Sequence, residues 1–193
     1  KVTSCQYMVD AVSNLFYGMP INGYVALNMN AVAMINDAVG GVTMTVPEDM
    51  TQVDPSFAEG ATVTLTGDQA LKFTRYRDTE KDFSNNSRME RQKQYLVNFM
   101  GQAVKAMKSD MGLPVSLYQS LTDDMVTNLS LDRSVYLATE AMDMHFTADG
   151  IVSLKAKSKK GSVYDEVYVD DDALYDLIIQ TFYTEEQSEG ESK

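Results

Sequence analysis

Arg75, Arg77, Arg88 and Arg91 bring four of the chain's five arginines into one window, 75–91, of a sequence whose formal net charge is -12. Guanidinium groups stay charged at any physiological pH and offer paired N–H donors that match carboxylate or phosphate oxygens. A cluster of them therefore suits a multiply charged anion such as pyrophosphate. Arg75 and Arg77 bracket Tyr76, Arg88 and Arg91 stand about one helical turn apart, and Gln92 follows. A helix predicted over 88–108 puts Arg88 and Arg91 in its first turn. There backbone N–H groups and the macrodipole favour an anion, while cations cost helix stability up to about 1 kcal/mol. Something other than helix stability then has to account for them. The alternative is a solvated network in which each arginine pairs with Asp78, Glu80, Asp82 or Glu90. Such surface pairs contribute only about 0–1 kcal/mol each and leave the concentration unexplained.

Other chemistry-bearing residues are sparse. Cys5 is the only cysteine, which rules out an internal disulfide and a cysteine-based zinc cluster, and it reads as core packing. His145 is the only histidine, so a Ser-His-Asp triad would hang on one residue. Asp170, Asp171 and Asp172 lack the spacing of a calcium loop and read as helix-capping acids. The net charge argues against nucleic acid, whose phosphates are bound through summed positive charge. No apolar run approaches the roughly 18 residues of a membrane span.

The elements that must position the arginines alternate between helix and strand. Helical spacing over 5–17 ends at Gly18, "INGYVALNM" reads as a strand, and Asn30 is the expected cap of a helix "AVAMINDAV" that stops at Gly40 and Gly41. "VTMTV" alternates as a strand, 47–61 reads as a long surface loop, and "TVTLTG" is a second strand. Thr66 and Gln69 form a capping box for "DQALKFTRY", at whose end Arg75 sits. Beyond the 88–108 helix, further helices are expected at about 114–123 and 131–144. Two strand candidates, "IVSLKAK" and "VYDEVYVD", and a last helix "DALYDLIIQTFY" follow. This order indicates a layered α/β domain over 1–183, with 184–193 as an acidic, disordered tail.

Three segments, "GMPINGYVALNMNAVAMINDAVGGVTMTVPE", "GDQALKFTRYR" and "DFSNNSRMERQKQ", resemble in order and spacing the LytR-CpsA-Psr (LCP) family, closely over about Met8 to Val104. The resemblance implies a three-layer α/β/α sandwich with a mixed central sheet, an apolar pocket for a polyprenyl chain and an arginine-lined mouth for its pyrophosphate. It implies a magnesium-dependent transfer of a glycopolymer, such as a teichoic acid or capsular polysaccharide, from an undecaprenyl-pyrophosphate carrier to peptidoglycan. In that resemblance Arg75 and Arg77 match an Arg-x-Arg pair, and Arg88, Arg91 and Gln92 match an Arg-x-x-Arg-Gln run. Arg75, Arg77, Arg88, Arg91 and Gln92 are the expected pyrophosphate ligands, with Arg75 and Arg77 also serving the reaction. Asp82 matches an acid that would act as general base, although "FSNNS" separates it from Arg88 where many members have two residues. Asp37 matches the acid before the paired glycines, with an anchoring role as open as a catalytic one.

The family's Asp-x-Arg-x-Asp-Thr motif, expected to supply the magnesium ligands, has no counterpart in the sequence. No metal ligand is therefore assigned within it, and the reading expects an N-terminally truncated domain whose membrane anchor and first strands lie upstream. Two function classes stay open. One is an extracytoplasmic phosphotransferase acting on a lipid-linked glycan with peptidoglycan as acceptor, and the other is a non-catalytic module that holds a polyprenyl phosphate. Oligomeric state is left open.

Overall fold

A computed structural model describes residues 2–78, 84–162 and 165–183. Asp82 and the 184–193 tail lie outside the described residues. The chain divides into two compact units, Lys1–Val9 with Ile21–Ile151, and Asp10–Pro20 with Val152–Lys193. The first helix, α1 (Val2–Leu15), contributes to both.

The first unit carries the arginines. β1 (Val25–Leu27) leads into α2 (Met29–Ala38) through Asn28, whose extended backbone lets its side-chain oxygen accept the Ala31 N–H at 3.1 Å. The cap is thus Asn28 rather than the expected Asn30, which lies inside the helix. After α2, Gly40 and Gly41 adopt φ of +82° and +84°. A Cβ on Gly41 would stand 2.9 Å from the Leu65 carbonyl oxygen, so glycine serves both the left-handed turn and the close strand approach. β2 (Val42–Thr45) then pairs antiparallel with β3 (Thr62–Leu65), in a register that sets Val42 opposite Leu65. Along β2 the burial alternates, Val42 and Met44 inward, Thr43 and Thr45 outward, as period two requires.

The connection 47–61 is more than a surface loop. Met50 and Phe57 are fully buried, and the Phe57 ring meets Phe73 edge-on at 5.7 Å. These side chains share a core with Val42, Met44, Leu65 and Ala70. α3 (Gly67–Arg75) opens on the expected capping box of Thr66 and Gln69 and buries Ala70 and Phe73. α4 (Ser84–Ser109) begins four residues before the expected start. Its first residues, Ser84 to Ser87, are polar and carry no apolar periodicity by which a sequence reading could place them.

α5 (Leu113–Ser120), β4 (Met125–Thr127) and α6 (Leu131–Ala141) complete the unit. β4, which the sequence reading did not place, pairs antiparallel with β1, Leu27 opposite Met125. In the second unit β5 (Ala156–Lys160) and β6 (Asp165–Val169) form a hairpin ladder. α7 (Asp171–Phe182) follows, and Asp170 caps it by accepting the Ala173 N–H at 3.1 Å, the role expected for this acidic run. The class is α/β, and among the described residues the strands pair as three two-stranded antiparallel ladders.

Candidate functional site

The arginine window folds into two converging helix ends. Arg75 is the last residue of α3, and Tyr76 leaves the helix with φ -52° and ψ 136°, so that Arg75 and Arg77, both exposed, flank a change of backbone direction. The last carbonyls of a helix lack intrahelical partners. Here α4 supplies them: Gln92 Nε2 donates to the Thr74 carbonyl at 3.0 Å, Arg91 Nε to that of Phe73 at 3.3 Å, and the Arg91 guanidinium also to that of Tyr76. The Arg-x-Arg pair and the Arg-x-x-Arg-Gln run, far apart as motifs, thereby meet.

Within that meeting the residues differ sharply in exposure. Arg91 is only 2% exposed, and its other terminal nitrogen forms an ion pair with Glu48 from the 47–61 connection. Its guanidinium carbon lies 5.6 Å from the Tyr76 ring centroid, a cation–π distance. Arg88 is half-buried and donates to Asn85 Oδ1 at 2.6 Å. Its Nε is buried with no acceptor among the described residues. An unmet buried donor costs about 1–3 kcal/mol, which marks Arg88 as a group awaiting an acceptor. Gln92 is exposed beside Thr74.

Because α4 starts at Ser84, Arg88 and Arg91 stand in its second turn, beyond the first-turn reach of the macrodipole, and the helix-terminus argument for them lapses. For Arg91 the network alternative takes a different form as well, since among the described residues the acid that pairs with it is Glu48.

Asp37 anchors a helix start, because its Oδ1 accepts the Gly67 N–H at 2.7 Å and so fixes the beginning of α3. Beside it the fully buried Asn36 donates to the Leu65 carbonyl at 2.8 Å and accepts from the Tyr95 hydroxyl at 3.1 Å. Burial, and after it the Asp37 carboxylate, push the Tyr95 phenol up to about 12. Glu48, Asn36 and Gln52, whose Nε2 donates to the Tyr76 hydroxyl at 2.7 Å, were not singled out in the sequence. Each is an ordinary polar residue until the fold gives it a partner from a distant segment.

A cavity of about 760 Å³ in the second unit is lined by Asp171, Asp172 and Asp176 as well as tyrosines. Its carboxylates repel an anion, and it holds none of the arginines. In the first unit, Phe99, Ala103, Met107, Leu113 and Leu117 help to line an apolar cavity of about 220 Å³ between α4 and α5. That is below the ~300–1,000 Å³ usual for ligand clefts. Among the described residues no three His, Cys, Asp or Glu side chains converge on one point. Among them, too, no helix is long and apolar enough to cross a membrane.

Comparison with known proteins covers nearly the whole chain. The profile of the LytR_cpsA_psr family matches residues 3–179. A "Polyisoprenyl-teichoic acid--peptidoglycan teichoic acid transferase TagU" of Bacillus cereus (strain AH820) is 45% identical over 83 residues, 42% of this chain and 27% of that protein. The enzyme of the same name from Halalkalibacterium halodurans is 32% identical over 129 residues, 66% of this chain and 40% of that protein. The chain thus spans well under half the length of these curated relatives. The fold is similar to that of the crystal structure of B. subtilis TagV, with a TM-score of 0.68 at 23% identity over 92% of this chain and 70% of that one. It is also similar to "TagT bound to LI-WTA", with a TM-score of 0.67 at 17% identity over 89% and 63% of the two chains. With the family's profile matched over residues 3–179 and its fold found in these structures, the chain belongs to the LytR_cpsA_psr family.

Proposed function

We propose that this chain takes part in transferring a glycopolymer, such as a teichoic acid or capsular polysaccharide, from a polyprenyl-pyrophosphate carrier to peptidoglycan outside the cell membrane. The activity named for the TagU relatives supports this reading. The observation that carries it is the Gln92 to Thr74 bond, which brings the end of α3, with Arg75 and Arg77, against the turn of α4 that bears Arg88 and Gln92. The two motifs are thereby brought together at the backbone, and the Arg88 Nε, with no acceptor among the described residues, supplies a donor suited to a phosphate oxygen.

The chemistry asked of such residues is chiefly positioning and charge neutralisation. An acceptor hydroxyl oxygen attacks the phosphorus of the sugar phosphate and a new P–O bond forms. The bond to the terminal polyprenyl phosphate breaks, and the electron pair leaves on that phosphate, where the arginines neutralise it. The hydroxyl proton passes to a base, the role proposed for Asp82. A magnesium ion, held by one or two carboxylates together with the phosphate oxygens, would add Lewis-acid stabilisation, and no step is assigned to it. The polyprenyl tail is proposed to lie along apolar surface, of which the small cavity between α4 and α5 could take only a part.

Equilibrium binding of a polyprenyl pyrophosphate, with and without magnesium, tests the reading against Arg75→Ala and Arg88→Ala. Submicromolar binding lost in both folded variants supports it, and equal binding by the variants refutes the arginine site. Binding without transfer to a peptidoglycan acceptor would instead mark a non-catalytic module.

A further inference from the structure

The burial of Arg91 separates it in kind from the three other arginines of its window. Each part of its guanidinium is engaged by protein: Nε by the Phe73 carbonyl, one terminal nitrogen by the Tyr76 carbonyl, the other by Glu48. Its charge is compensated by Glu48, so it adds little net field at the surface. What it does hold is the turn between Arg75 and Arg77. It binds the carbonyl of the intervening Tyr76, lies against that residue's ring, and caps the α3 carbonyl three residues earlier. The same connection that supplies Glu48 supplies Gln52, which donates to the Tyr76 hydroxyl at 2.7 Å. Tyr76 is therefore gripped at its backbone from α4 and at its phenol from the 47–61 connection.

We infer that Glu48, acting through Arg91, is a positioning residue for the Arg75–Arg77 pair, and that Arg91 itself serves as the core of this clamp instead of touching the anion. The inference rests on the reading of Arg75 and Arg77 as anion ligands. Two guanidiniums on either side of one residue can grip a pyrophosphate together only if the peptide between them keeps one conformation, and side-chain entropy is lost more cheaply on a fixed backbone. Neither an exposed turn nor the Tyr76 side chain alone supplies that rigidity. The ion pair between the buried Arg91 and the half-buried Glu48 does.

The test uses trypsin, which cleaves after arginine and so reports directly on the turn, together with binding of farnesyl pyrophosphate. Glu48→Ala removes the counter-charge and the acceptor, while Glu48→Gln keeps a carbonyl oxygen for the Arg91 N–H. Cleavage after Arg75 and Arg77 is compared with cleavage after Arg133, which lies on α6. In Glu48→Ala, cleavage at the two clamp sites is expected to rise about tenfold relative to Arg133, as a local opening does. Glu48→Gln is expected to remain within about twofold of the parent if one hydrogen bond suffices to hold the turn. Farnesyl pyrophosphate affinity should fall about tenfold in Glu48→Ala, but less than twofold when the same change is made on top of Arg75→Ala and Arg77→Ala, because effects acting through one group do not add.

An equal rise at all three cleavage sites, or none at any, overturns the clamp, as does an affinity loss of the same size in both backgrounds. A parent chain that binds no farnesyl pyrophosphate sinks the anion-site reading instead, while the cleavage ratio still decides whether Glu48 fixes the turn.

Discussion

Asp37 Oδ1 accepts the Gly67 backbone N–H at 2.7 Å, so the end of α2 holds the first turn of α3, the helix that ends in Arg75. A carboxylate on an orphan N–H at a helix start contributes about 0.5–2 kcal/mol. Asp37→Ala should therefore lower unfolding free energy by about that amount in urea titration. Gly67→Ala should cost more, on the order of 1–3 kcal/mol for an overpacked contact. Its Cβ would lie 2.6 Å from both the Ala33 carbonyl oxygen and Asp37 Oδ2, and neither backbone nor anchored carboxylate can retreat.

The Tyr95 hydroxyl reaches the buried Asn36, and its phenol is pushed up to about 12 from an ordinary value of about 10. A raised phenol favours the protonated, folded form, so its contribution is complete below pH 10, where both states hold the proton. It is lost between about pH 10 and 12, as the unfolded chain ionises and the folded one does not. Tyr95→Phe should lose about 1 kcal/mol at neutral pH for the missing hydrogen bond. Across that alkaline window its stability should fall less steeply than the parent's, and equal slopes would refute the assignment.

Arg88 and Arg91 sit three residues apart and should respond oppositely to truncation. Arg91→Ala leaves Glu48 and two carbonyls without their partner, and because the Glu48 carboxylate is half-exposed and can regain water the cost is about 1–3 kcal/mol. Arg88→Ala removes a buried donor that lacks an acceptor among the described residues, so its thermal midpoint should stay within a few degrees of the parent's or rise. Pyrophosphate affinity should nevertheless fall at least tenfold in Arg88→Ala, a loss of about 1.4 kcal/mol.

The parts of this molecule that were legible in its sequence are those with local signals. The Thr66–Gln69 capping box, the Gly40–Gly41 stop, the alternation of Val42 to Thr45 and the Asp170 cap are each written within a few residues. β4 is three residues long, too short to show a period, and it exists because β1 lies opposite. The start of α4 was misplaced because Asn85 and Asn86 favour caps over helix interiors, and its actual first turn shows no apolar face. At the candidate site the four arginines were visible as a cluster, but their division into one buried clamp and three peripheral donors was not. That division depends on Glu48, which precedes Arg91 by 43 residues.

The loop-like composition of 47–61 concealed the side chain that joins core to site. Phe57 is fully buried against Phe73, whose carbonyl accepts from Arg91, and the segment that Phe57 pins down carries Glu48 and Gln52. Phe57→Ala should thus cost about 3–5 kcal/mol, the range for a truncated core aromatic. Phe57→Leu should cost less, because most of the volume remains. The informative comparison is with Phe73→Leu. A cycle of the two single variants and the double should give a coupling of about 0.5–1.5 kcal/mol for the edge-on pair. Because Phe57 anchors the connection that holds Tyr76, Phe57→Leu should also weaken farnesyl pyrophosphate binding, and by the same factor as Glu48→Ala if the two act through one turn. An affinity equal to the parent's, with stability lowered, would mean that the 47–61 connection supports the core without shaping the arginine site.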